Sequence, residues 1–532
     1  MNKLKPLLLS VALGLALAST AASAADIVPI NFDGADEGYN DPTPAAPVGG
    51  NPGTTLGEQR QVVAQFAADI WGSVLVSPQP VYIAAQFSPL GANVLGSAGG
   101  TSAFYNFPGA AHANTLYSVA LAEAITNLNL NGNVVDISSN FSSDFNFYYG
   151  LDGKTPAGMV NFLDVVMQEF GHGLGFQNFE NEATGAFLAN IPDVYSVYTF
   201  DNSTGKSWVQ MSNAERQASA LNYGKVVFTG ASAKAGAALT LGPRTALRVL
   251  SPAAIAGDFD YGTASFGAPA TSANFAGSVV VGLDAAIPVT SATTTDGCSP
   301  LSNAAEVAGK IVLVDRGSCA FTIKAKNIQD AGGIGMLAAD NVAASPAGMS
   351  GSDPTVTIPS LRITLSDGNL IKAKLPGVSV GLVTDPARLQ GADDAGRPRL
   401  YMPNPVEGGS SGSHYDTALS PDALMEPAIN DSLIGAFNLD ITPHLLKDTG
   451  WTLNSGTAKI DGCDTGIDLV DDAGLVIGAN VQATSNVCLI GAKVRGDYQN
   501  CMDGYKTRLV TAGLVSGKQA GKMMACAAKL GK

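Results

Sequence analysis

The chain carries four histidines in 532 residues, so an imidazole able to act in chemistry has few places to stand. His172 follows Gln168 and Glu169 inside Met159–Leu174, a stretch whose apolar spacing predicts a helix. Positions 168 and 172 are i and i+4 on that helix and share one face. Gly171 and Gly173 fall in the same helix, where each costs about 1 kcal/mol relative to alanine, and a sequence does not accept that without reason. Glu-x-x-His alone also describes a buried amphipathic helix with one satisfied histidine, since short motifs match by chance. Far downstream, Ser413-His414-Tyr415-Asp416 and Leu424-Met425-Glu426-Pro427 set a second histidine close to a methionine. His112 and His444 match no pattern and read as structural or exposed.

Val165 to Phe176 resemble the H-E-x-x-H-x-x-G-F signature of metzincin-type zinc proteases, with Gln168 where the first histidine would stand. Residues 413–416 and 424–427 resemble the third-ligand histidine and the Met-turn of leishmanolysin-like metzincins, in which an inserted region separates helix from third ligand. The resemblance implies one zinc ion held by His172 and His414, with Gln168 as a weak substitute ligand and a position left open for water. It makes Glu169 the general base that moves the water's proton. It makes Met425 an apolar floor and Gly175 a left-handed turn ending the helix. A glutamine offers a neutral amide oxygen, a poorer zinc ligand than imidazole, so zinc affinity and hydrolysis should both fall. Three accounts stand open: weak ligation by Gln168, substitution by Asp164 or Asp416, or a pseudoprotease.

Gly309 to Phe321, then Lys324, Lys326, Ala331-Gly332-Gly333 and Asp340-Asn341, resemble the protease-associated (PA) domain over about Ala246 to Asp385. That family often carries a disulfide where Cys298 and Cys319 stand. The domain's presence favours a protease without proving one, and a passive spacer is the plainer alternative. Other protease patterns fail: Gly100-Thr101-Ser102-Ala103 has no histidine before it, as subtilisin-like order requires. Asp448-Thr449-Gly450 and Asp464-Thr465-Gly466 are too close for the two lobes of an aspartic protease.

The elements that must position these residues follow from patterning. Val62, Val63, Phe66, Ile70 and Trp71 predict a helix over 57–76; Val81–Phe87 reads as a strand, and Leu116–Leu128 as a second helix. From about 248 to 382 short apolar strands alternate with Gly, Ser and Pro, with one helix near Phe321–Ala331. Cys463 to Cys488 reads as a small strand pair. The last segment reads as a helical hairpin, with Tyr498, Cys501, Met502, Tyr505 and Leu509 facing Ala520, Met523, Ala527 and Leu530. Gly513 ends its first helix, and Ser516 with Gln519 caps the second. The six cysteines allow 15 connectivities; proximity in sequence suggests Cys298–Cys319, Cys463–Cys488 and Cys501–Cys526.

The expected fold is α+β: a metzincin-like catalytic unit (25–245 and 386–455) split by a β-rich PA domain (246–385), then a disulfide-containing strand pair and helical hairpin (456–532). Hydrophobic content of 46% with 14% charged residues argues against disorder. The net charge of -15 opposes nucleic acid and anionic lipid. Lys3 and Lys5, the apolar run Leu7–Leu17 and Ala22-Ser23-Ala24 order as a signal peptide over 1–24, which places the chain outside the cytoplasm, secreted or periplasmic, with no span left in the membrane. Calcium in the acidic entry at Asp33, Asp36 and Asp41 is conceivable, although a solvated loop is commoner. The expected function is a secreted zinc-dependent metalloendopeptidase of reduced activity; the alternative is an inactive pseudoprotease that binds polypeptides through its cleft and PA domain.

Overall fold

The computed structural model describes residues 24–132, 134–287, 293–429 and 434–530, so the predicted signal peptide lies outside the described residues except for Ala24. Among the described residues no helix is long and apolar enough to cross a membrane.

The first unit is built from β1 (Ile27–Asn31), α1 (Leu56–Val74), β2 (Val81–Ser88), β3 (Gly96–Gly100), α2 (Val119–Thr126), β4 (Ile137–Ser142) and α3 (Phe162–Gly173). Its sheet runs β1-β2-β4-β3, parallel except for β3, which pairs antiparallel with β4 and forms one edge. The Thr55 side chain accepts from the Glu58 amide and starts α1, whose Val63, Phe66, Ala67, Ile70 and Trp71 are buried. Each large apolar side chain so buried contributes about 1.5–3 kcal/mol. Trp71 also donates its indole N–H to the Met167 carbonyl at 3.0 Å, which binds α1 to α3. The predicted helix over 159–174 starts later because Val160 and Asn161 belong to a short strand, and the Asn161 side chain caps α3 by accepting from Leu163. The second predicted helix shrinks to α2, ended by Asn127 in a left-handed conformation.

The inserted unit holds β5 (Pro243–Ser251), β6 (Gly257–Phe259), β7 (Gly262–Thr263), β8 (Ala276–Val281), β9 (Ile311–Asp315), α4 (Phe321–Asp330), β10 (Gly335–Ala339), β11 (Ser360–Ile363), α5 (Leu365–Lys372) and β12 (Ser379–Leu389). One eight-stranded sheet orders them β6-β5-β12-β8-β9-β10-β11-β7. Strands β8 to β11 are parallel, and the near-continuous apolar sequences of β9 and β10 are explained by burial on both faces. One core lies around Leu247, Ile311 and Leu361, the other around Val312, Ile328 and Met336.

Beyond α6 (Thr442–Thr449) come β13 (Thr457–Ile460), β14 (Cys463–Asp468), α7 (Ile477–Gly491), α8 (Arg495–Thr511) and α9 (Gly517–Ala527). The hairpin of α8 and α9 forms as read: Tyr498, Met502, Tyr505 and Leu509 are buried, Gly513 has φ +71°, and Ser516 with Gln519 makes the capping box. The disulfides correct the sequence reading. Cys298–Cys319 pairs as expected, but the other two are Cys463–Cys526 and Cys488–Cys501, not Cys463–Cys488 and Cys501–Cys526. The cause is α7. The strand pair closes within β13 and β14, and Cys488 then lies near the end of a 15-residue helix, about 16 Å along the axis from its start. There α8 turns back and supplies Cys501, while α9 packs on β14 and supplies Cys526. Helix α7 also joins tail to body: Ala479, Ala483 and Val487 enter the core of the first unit, and Ile477, Val481 and Cys488 enter that of the tail.

Candidate metal centre and cleft

Helix α3 delivers Gln168, Glu169 and His172 to the floor of a cleft of about 770 Å³, and the loop after Tyr401 brings His414 to the same place. The two histidines, 242 positions apart, face each other with Nε2 atoms 3.2 Å apart. His172 Nδ1 lies 2.8 Å from the Phe176 carbonyl and His414 Nδ1 lies 2.9 Å from the Ser410 carbonyl. A carbonyl only accepts, so both Nδ1 atoms carry the proton, and both neutral rings turn an Nε2 lone pair toward one point. Burial favours that neutral form, pushing His172 down to about 4 and His414, which also feels His172, down to about 3. Two lone pairs at that distance repel unless a cation lies between them. Two imidazoles on one tetrahedral zinc at 2.0–2.1 Å stand about 3.3 Å apart, so this pair fits the ion.

The third position differs. Gln168 Nε2 donates to the Leu424 carbonyl at 3.1 Å and the Glu426 carbonyl at 2.6 Å, straddling Met425. That leaves Oε1 as its available donor atom toward a metal. Asp164 does not substitute: its carboxylate accepts the Gly435 amide at 2.8 Å, and neither it nor Asp416 is among the described residues lining the cleft. Among the described residues no three His, Cys, Asp or Glu side chains gather to hold a metal, so a metal held here would have two imidazoles and, beyond them, only an amide oxygen to call on.

The glycines of α3 have their reason here. A Cβ on Gly171 would lie 2.9 Å from the Met425 sulfur, and one on Gly173 would collide with Ile137. Gly175 has φ +123°, a conformation in which a side chain is strained, and the chain turns there so that Phe176 can present its carbonyl to His172. Met425 is fully buried, and its carbonyl accepts the Tyr415 amide at 2.7 Å, fixing the turn beside His414.

Glu169 lies under β3, accepting the Ala98 amide, and burial pushes its carboxyl up to about 8. Sequence reading missed this wall. Gly96-Ser97-Ala98 lines the cleft, and a Cβ on Gly96 would stand 2.9 Å from the Glu169 carboxylate. The available signal was a strand made wholly of glycine, serine and alanine. The opposite wall, Gln177 to Glu182 and Gly408 to Ser413, carried no recognisable spacing. His112 and His444 lie elsewhere; His444 bonds Ser232 and the Asp472 carbonyl. In the acidic entry, Asp33 accepts the Tyr39 and Phe87 amides, and Asp41 accepts Thr43 and pairs with Arg60.

The inserted unit follows a parallel β9–α4–β10 order with Cys319 bonded to Cys298 beside the entry to α4. Residues 267–371 match the family model of the PA domain. The PA domain is therefore present, within a sheet whose strands span Pro243 to Leu389 in sequence. Over 84 residues the chain is 39% identical to ER degradation-enhancing alpha-mannosidase-like protein 3 of Xenopus laevis, covering 14% of this chain and 9% of that protein. Over 142 residues it is 33% identical to vacuolar-sorting receptor 2 of Arabidopsis thaliana, covering 24% and 22%. The chain thus matches about a tenth to a fifth of the length of these relatives. Among solved structures, BSAP, a zinc aminopeptidase from Bacillus subtilis, aligns over 29% of this chain and 36% of its own, at 21% identity and TM-score 0.18. An aminopeptidase from Aneurinibacillus sp. strain AM-1 aligns over 27% and 31%, at 18% identity and TM-score 0.19. Likenesses of this size leave the cleft to be read from its own geometry.

Proposed function

We propose that the chain is a metzincin-like, zinc-dependent peptide hydrolase whose turnover is held down by Gln168. The observation that carries this reading is the convergence of two Nε2 lone pairs, 3.2 Å apart, in the cleft that also holds Glu169. Zinc bound there supplies Lewis-acid polarisation of the scissile carbonyl and of the attacking water.

The chain's own residues do the rest. As an edge strand along the cleft, β3 offers backbone groups on which an extended polypeptide can pair as an added strand. Its small side chains leave that approach open. Glu169 accepts the proton of the attacking water and returns it to the leaving amine. Without a metal, burial pushes this carboxyl up and favours its protonated form; a cation held by the two histidines would favour the carboxylate that the base role requires. The second reading, a cleft that binds polypeptide without cutting it, is favoured by the commitment of the Gln168 amide nitrogen to the Met425 turn.

Metal analysis with a casein assay separates the two. We expect about one zinc per chain and cleavage abolished by a chelator. Glu169→Gln should lower cleavage by about 100-fold or more while zinc stays bound. Protein that takes up no zinc when it is supplied, and whose casein cleavage is nil or indifferent to the chelator, overturns the hydrolase.

A further inference from the structure

His414 is not held by its loop alone. Residues 399–401 run antiparallel to residues 414–416: Tyr401 donates to the His414 carbonyl at 2.9 Å, and Asp416 donates to the Arg399 carbonyl at 3.0 Å. On its other side this ladder is tied to the body, with Leu400 donating to the Val226 carbonyl at 3.0 Å. The Arg399 side chain is only 8% exposed, and it crosses to the inserted domain, where Nη1 meets the Asp260 carboxylate at 3.1 Å. Its Nε has no hydrogen-bond partner. Around this pair the boundary between the units is loosely filled, with a cavity of about 460 Å³ lined from both sides. A second tie at the root of the domain runs from Gln390 Nε2 to the Ala418 carbonyl at 2.9 Å.

We infer that Asp260 is a positioning residue for the third ligand: through Arg399 the PA domain holds the ladder on which His414 hangs, and so sets the metal affinity of the cleft. The inference rests on the metal reading above only for its second clause. The physical ground is the cost of taking from a buried guanidinium its hydrogen-bonded anion and leaving it only the Asp416 carboxylate nearby, whose Oδ2 has no hydrogen-bond partner; that cost is relieved if Arg399 moves and carries its backbone with it. Partners that orient a metal-bound histidine typically matter by 10–100-fold in affinity.

Two measurements on the full-length protein test it. In metal-free protein, hydrogen exchange should quicken in Asp260→Asn at the Tyr401 and Asp416 amides and at that of Gly412, which donates to the Tyr401 carbonyl at 2.9 Å. It should stay as in wild type in Asp258→Asn, whose carboxylate pairs with Arg248 inside the inserted sheet. Zinc affinity, read by competition with a chromophoric chelator, should fall about tenfold or more in Asp260→Asn alone. If that variant does not fold, Asp260→Asn with Arg399→Met and Asp416→Asn removes the tie without leaving a buried charge, since the new amide oxygen at 416 can still accept the Ala418 amide, and it carries the same expectations. Wild-type exchange and wild-type affinity in a folded variant would overturn the inference. Wild-type protein that binds no zinc would sink the hydrolase, while the exchange rates would still decide whether Asp260 holds the His414 ladder.

Discussion

Gln168 spans the Met425 turn with its amide nitrogen, so replacing it with histidine changes two things at once. The new imidazole completes a three-nitrogen set, and we expect Gln168→His to bind zinc more tightly and to cleave casein faster. It also leaves the Leu424 and Glu426 carbonyls without their donor, at a cost of about 1–3 kcal/mol in metal-free protein. Thermal melting should show both effects: below wild type in chelator, above it in saturating zinc, because a ligand that binds only the folded state stabilises it. Unchanged zinc affinity would mean that the scaffold has lost more than one ligand. That Glu169, His172 and His414 lie together above Met425 was legible through the resemblance of their motifs to those of metzincins. The role of the Gln168 nitrogen was not, since its acceptors lie 256 and 258 positions away and backbone carbonyls leave no mark on a sequence. The Gly171 and Gly173 penalty was legible as a cost, and its cause, the Met425 sulfur and Ile137, only as a contact.

Elements with a strong period were read nearly to their ends; the ends themselves moved where a single side chain decides, as Asn161 does at α3 and Asn127 at α2. The tail failed in a more instructive way. Pairing cysteines by sequence proximity assumes that nearby residues stay near, and a 15-residue helix breaks that assumption. The same helix ties residues 456–532 to the body. Ala479, Ala483 and Val487 belong to the core that includes Phe66, Ala67 and Ile70 of α1, and Gln482 and Asn486 bond Ser73 and Asp69. A chain ending at residue 455 should therefore expose the α1 face and lose most of its soluble yield. A truncated protein that melts within a few degrees of the full chain would show α7 to be dispensable to the body.

At the scale of the whole molecule, the order of strand, cysteine and helix made the inserted domain legible. Its contact with the His414 ladder was not, because one ion pair between Asp260 and Arg399 repeats nothing and has no period. The net charge of -15 was legible too, but not where the acids would be buried. Asp164 and Asp440, on either side of the Met425 turn in sequence, are both pushed up to about 7 by burial, against the amides that donate to them. An aspartate in the unfolded chain titrates near 3.9. Between these values the folded protein holds protons that the unfolded chain has released, so unfolding gains stability over folding as pH rises. The favourable contribution is complete below about pH 4 and is lost as pH rises through about 7. Chelated protein should therefore melt at a higher temperature near pH 5.5 than near pH 8. Repulsion across an acidic surface slopes the same way, but salt screens it, with a Debye length of about 3 Å at 1 M. The part due to burial should persist in high salt and shrink in Asp164→Asn, whose amide oxygen can still accept the Gly435 amide. A pH profile that salt flattens completely, or that this substitution leaves unaltered, would place the effect on the surface and not in the carboxyls beneath the cleft.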